Sequence, residues 1–161
     1  MVKWEKIYNF DKPKVNYETK TSQKNLEKII TALSRGDHGK ERKKAAPRLA
    51  KNSKLFKSII HAIKEKKGDN VVSLDLKKID EAVADFFILC EARSNIQVKA
   101  IADSIEEVVR TECDEKPYHI EHGDAWTLLD YVNIVVHIFQ HEQRMFYNLE
   151  SLWEDAPRTE H

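Results

Sequence analysis

Apolar positions in this chain change their spacing several times, and each change marks an element. Leu26, Ile29, Ile30 and Leu33 fall at i, i+3, i+4 and i+7 and predict a short amphipathic helix. The stretch 34–39 breaks it with two glycines and an Asp. From Lys40 to Lys54 no period survives. Phe56, Ile59, Ile60 and Ile63 then make one face of a helix starting near Ser53, with Gly68 placed to end it as a left-handed residue. Val72, Leu74 and Leu76 alternate as a strand, and 85–90 (Asp-Phe-Phe-Ile-Leu-Cys) is a short continuous apolar run, as expected of a strand covered on both faces. Ser94 and Gln97 form an S-x-x-Q capping box. The long helix behind it aligns Val98, Ile101, Ala102, Ile105, Val108 and Val109, and stops before Pro117. Strands follow over 118–120, 125–129 and 134–139, then a helix over 144–153. The order α-β-β-α-β-β-β-α predicts an α/β (α+β) domain with a single mixed sheet flanked by helices.

Composition changes this picture in one respect. The 161 residues carry no net charge, yet residues 1–54 hold 15 Lys and Arg against 6 Asp and Glu (+9), and residues 55–161 hold 12 against 21 (−9). Only the second part has the apolar density to bury a core. The chain therefore divides into a basic N-terminal extension, 1–52, and a folded domain, 53–157. The stretch 35–54, spanning the end of the extension, crowds Arg35, Lys40, Arg42, Lys43, Lys44, Arg48, Lys51 and Lys54 into twenty residues. Such a run reads as a solvated linker, as an arm contacting RNA, or as a neutraliser of the acidic domain. Cys90 and Cys113 make no disulfide framework, and no apolar run approaches the roughly 20 residues a membrane helix needs. A reduced cytoplasmic protein is expected, with an organelle as the other placement.

Between Trp126 and Trp153 the chain reads W-x-L-x-D-Y (Trp126, Leu128, Asp130, Tyr131), V-V-H-x-F (Val135 to Phe139), R-x-F-Y (Arg144 to Tyr147) and L-E-x-L-W (Leu149 to Trp153). Four linked motifs in this order resemble the ribosomal silencing factor (RsfS, Iojap) family, over about residues 55–156. The resemblance implies a nucleotidyltransferase-like fold and no catalysis. It implies binding to ribosomal protein uL14 of the large subunit, which blocks small-subunit association and represses translation. A role in large-subunit maturation and a homodimer off the ribosome are also implied. Two departures stand out. The family commonly has Gly-Asp after Asp-Tyr, where this chain has Val132-Asn133. It also tends to a Gly-containing approach to the long helix, where this chain has Glu91-Ala92-Arg93-Ser94.

The chemistry-bearing residues each admit a plainer role. Nucleotidyl transfer needs clustered carboxylates and a phosphate-cradling loop; Gly68, Asp69 and Asp75 are too sparse for that, so no catalytic residue is expected. His119-x-x-His122 with Asp124, and His137-x-x-x-His141, have ligand-like spacing without helical convergence, so neither a metal nor a cofactor is expected. His137 shares a strand face with Val135 and Phe139, which suits a buried, hydrogen-bonded imidazole. Trp126, Leu128, Asp130 and Tyr131 fit either a core strand whose Asp accepts turn amides, or an exposed anchor patch. The resemblance favours the patch, and it extends the expected uL14 surface to Asn133, Arg144 and Tyr147. The rivals are an RNA-binding ribosome-associated protein using Arg35, Arg42, Lys43, Lys44, Arg48 and Lys51, and a nucleotidyltransferase-like enzyme.

Overall fold

The computed structural model describes residues 49–50, 53–79, 82 and 84–161. The helix expected over 26–33 and the basic residues from Arg35 to Arg48, with Lys51, lie outside them. Helix α1 (Lys54–Glu65) begins where Ser53 Oγ accepts the Phe56 N–H at 3.2 Å. Such a cap is worth about 1 kcal/mol. Its apolar stripe buries Leu55, Phe56, Ile59, Ala62 and Ile63. The helix ends in paired bonds, Lys67 N–H to Lys64 C=O and Gly68 N–H to Ile63 C=O. The left-handed residue is Lys67, at φ 57, and not Gly68. Gly68 is needed for another reason: a Cβ there would stand 2.5 Å from the buried Ile63 Cγ2.

Strand β1 (Asp69–Asp75) follows, then β2 (Phe86–Ala92) and helix α2 (Asn95–Cys113). Ser94 Oγ accepts the Gln97 N–H at 3.2 Å, while the Gln97 side chain accepts from Arg93 N–H and donates to the carbonyls of Lys66 and Lys67. The capping box thereby also clamps the end of α1. Strands β3 (His119–Glu121), β4 (Trp126–Asp130) and β5 (Ile134–Gln140) form the meander. The helix expected over 144–153 is two pieces, α3 (His141–Tyr147) and α4 (Leu149–Leu152), because Asn148 takes φ 41 between them. A last strand, β6 (Arg158–Glu160), had no signature in the apolar pattern.

The six strands run β3-β4-β5-β2-β1-β6. Only β2 and β5 are parallel, from Phe86 opposite Ile134 to Ala92 opposite Gln140. They sit in the middle and are apolar apart from Glu91, His137 and Gln140, as befits strands covered on both faces. Because successive side chains alternate, Phe86, Ile88, Cys90, Ile134, Val136 and Ile138 meet α1 and α2 in the main core. Phe87, Leu89, Val135, His137 and Phe139 face the other way, and Trp153 packs edge-on against Phe87 at 5.6 Å. Each fully buried large apolar side chain contributes about 1.5–3 kcal/mol.

Candidate functional site

On the second face of the sheet, β4 and β5 bring together Trp126, His137 and Phe139 of the first two motifs. Trp126 is the cross-strand partner of Phe139, and their rings stack at 4.6 Å. Leu128 stands opposite His137. The His137 ring lies 5.0 Å from Phe87 and 5.9 Å from Phe139. Trp126 Nε1–H donates to His137 Nδ1 at 3.3 Å. That bond requires a neutral imidazole protonated on Nε2, and burial pushes the His137 pKa down to about 3. Among the described residues, His137 Nε2 meets no hydrogen-bond partner. Tyr147, at the end of α3, lies 5.0 Å from Trp126 and carries the ring contacts outward to Phe146 at 4.9 Å.

At the β4–β5 corner, Asp130 Oδ1 accepts the Val132 N–H at 2.7 Å and Tyr131 C=O accepts the Asn133 N–H at 2.9 Å. Val132 has φ 71, so this is the rarer γ-turn form, strained for a β-branched residue. Asn133 C=O takes the N–H groups of Asp85 and Phe86 and fastens the corner to β2.

The R-x-F-Y and L-E-x-L-W motifs meet in an ion-pair network. Arg144 donates to both Glu150 oxygens, at 3.2 and 2.8 Å, donates to Asn70 C=O at 2.6 Å, and pairs with Glu91 at 3.3 Å. His141 Nδ1 lies 2.9 Å from the same Glu91. Burial alone would raise the Glu150 pKa, but the hydrogen bonds and charge of Arg144, with Arg158 beside it, hold it below the usual range. An open cleft of about 550 Å³ lies over this network, lined by Asn70, Glu91, Met145 and Asn148 among others.

The expected exposed anchor patch is not what these residues form. Trp126, Leu128, Asp130 and Tyr131 are all at least 95% buried. Tyr131 belongs to the core under α2, where burial, then Glu106 and Glu115, raise its pKa. Asp130 plays the plainer role of accepting a turn amide. Arg144 is 5% exposed, and its guanidinium is turned inward to carboxylates of its own chain. Asn133 and Tyr147 are half-buried. The large apolar side chains that do face solvent on α3 are Met145, 66% exposed, and Phe146, 43%. Sequence reasoning passed over both, although a signal existed. If Arg144 points inward on a helix, the next two residues must point away. His119 and His122 do not converge with Asp124; His119 Nε2 lies 3.5 Å from Glu121. Among the described residues, no group of three or more His, Cys, Asp or Glu could hold a metal ion, and no helix is long and apolar enough to cross a membrane.

The family described as "Ribosomal silencing factor during starvation" matches residues 49–161. The ribosomal silencing factor RsfS of Halalkalibacterium halodurans is 38% identical over 110 residues, covering 68% of this chain and 93% of that protein. The factor of the same name from Bacillus subtilis is 34% identical over 108 residues, covering 64% and 87%. A crystal structure from Bacillus halodurans superposes with a TM-score of 0.58 at 35% identity, over 68% of this chain and all of that one.

Proposed function

The chain belongs to the ribosomal silencing factor family, and we propose that it silences ribosomes by binding uL14 of the large subunit and sterically excluding the small subunit. One observation carries the reading beyond the family name. The domain is acidic, −9 over residues 55–161, and α3 exposes an apolar pair, Met145 and Phe146, beside the half-buried Tyr147. Apolar anchors within an acidic field suit a basic protein surface: the charge orients and speeds encounter, and the anchors supply affinity. Trp126 lies behind this surface through its ring contact with Tyr147, and Arg144 ties α3 to Glu91 and Glu150, whereas Leu128 is buried opposite His137, Tyr131 belongs to the core under α2, and Asp130 and Asn133 sit at the β4–β5 corner. No residue is given a catalytic role, since displacing the small subunit needs occupancy alone.

The test is direct binding of the full-length protein to purified uL14. Saturable binding supports the reading, and loss of roughly tenfold or more in affinity is expected for Phe146→Ala. No binding to uL14, with tight binding to ribosomal RNA, favours the RNA-binding rival; turnover of nucleotide with Mg²⁺ favours the enzymatic one. The basic extension belongs to this proposal as an RNA-contacting arm on the same subunit. Changing Arg42, Lys43 and Lys44 together to Ala should weaken large-subunit binding and flatten its salt dependence, leaving free uL14 binding unchanged. An unaltered salt slope would reduce the arm to a linker.

A further inference from the structure

His137 of V-V-H-x-F is buried and accepts the Trp126 indole N–H. We propose that His137 is the positioning residue of the α3 docking face: its Nδ1 fixes the Trp126 indole, against which Tyr147 and, through it, Phe146 are seated. The inference rests on the uL14 reading for its partner, but its mechanism stands on geometry.

The residue type fits the task. An indole N–H buried beneath a helix must find an acceptor, since an orphaned donor costs about 1–3 kcal/mol. The acceptor must come from the strand residue across from Leu128, where the neighbours are the rings of Phe87, Phe139 and Trp126. A carboxylate there would carry unpaired charge into an aromatic shell, and an aliphatic residue would accept nothing. A neutral imidazole is flat enough to stack and still accepts one hydrogen bond at 3.3 Å. Phe139 stacks on the indole from the same strand, so the ring plane is set by Phe139 and the rotation within it by His137. From the indole the contacts lead outward without a gap: 5.0 Å to Tyr147, then 4.9 Å edge-on to Phe146. Phe146 is 43% exposed, so rotation of a fully hidden ring would be felt at a surface ring. Arg144 pins α3 through Glu91 and Glu150, leaving the placement of the Tyr147 and Phe146 rings to this stack.

The experiment uses the full chain with His137→Leu and His137→Asn, whose side-chain oxygen can stand near the Nδ1 position. Two readouts are taken: the Trp126 indole N–H signal by NMR, assigned from Trp126→Phe, and affinity for purified uL14. His137→Leu should move the indole signal toward that of an indole without a hydrogen bond and weaken uL14 binding about tenfold. His137→Asn should restore both. A folded Leu variant with wild-type affinity and an unmoved indole signal would overturn the proposal, as would an Asn variant that folds and rescues neither. Should His137→Leu fail to fold, Trp126→Phe carries the test: it removes the donor, keeps a stacking ring, and must weaken binding. Unchanged affinity in that variant overturns the proposal equally. Wild-type protein that does not bind uL14 would instead count against the function proposed above, which separates the two failures.

Discussion

Val132 occupies a backbone conformation that suits it poorly. With φ 71, its branched Cβ meets the neighbouring carbonyl, at a cost of about 1–2 kcal/mol. A glycine, expected here from the resemblance, would meet what the corner asks for; that Val132 stands in its place was legible in the sequence although the consequence was not. Val132→Gly should raise stability by about 1 kcal/mol, after the larger entropy of the unfolded glycine is subtracted. The measurement is the urea midpoint at unchanged slope; a lower midpoint would show that the half-buried valine side chain contributes more than the turn loses. His137 gives a second residue-scale expectation. An unfolded histidine takes up its proton near 6.5, the folded one only near 3, so between those values the unfolded chain holds the extra proton. Stability is therefore fully present above pH 6.5 and falls as pH drops through that window. Glu150, held low by Arg144, adds loss in the same direction at still lower pH. Thermal melts from pH 7 to pH 4 should decline less steeply for His137→Leu than for wild type; parallel declines would contradict the assignment. That His137 would be buried followed from strand parity. That its partner would be Trp126 did not, because a cross-strand diagonal depends on register.

At the scale of elements, long periodic segments declared themselves and short ones did not. α1, α2 and the central strands β2 and β5 follow from repeated apolar spacing, since each must present a whole face to the core. β6 is three residues at the sheet edge with its flanking positions exposed, so no apolar period could reveal it. The division of the last helix is a matter of one left-handed Asn, which a helical pattern does not forbid. The site was legible as a set of residues and misread as a surface. Trp, Tyr and Arg are as suited to an interior stack or ion pair as to an interface, and only burial separates the two uses. The Arg144 network shows how much of α3's placement is electrostatic. Arg144→Met should cost about 3 kcal/mol, because Glu91 and Glu150 would lose their shared partner within a mostly buried site. Arg144→Lys should recover little, since one ammonium cannot replace a bidentate fork while also reaching Asn70 C=O. Denaturant titration of both variants checks this; full recovery by Lys would mean that charge alone, and not the fork, holds the helix.

For the whole molecule, charge partition is the organising fact: +9 in residues 1–54 and −9 in residues 55–161 of one neutral chain. Under the proposed function each sign has a use, the acidic part toward a basic ribosomal protein and the basic part toward ribosomal RNA, and salt should weaken the two contacts to different degrees. The central claim is occlusion, meaning that one surface of uL14 cannot face this domain and the small subunit together. Sedimentation of purified subunits, mixed with increasing full-length protein, tests it most directly. The account predicts that the protein travels with the large subunit alone and that joined ribosomes decline in proportion to the fraction of large subunits occupied. Joined ribosomes at their normal yield while the large subunit is saturated with folded protein would contradict it.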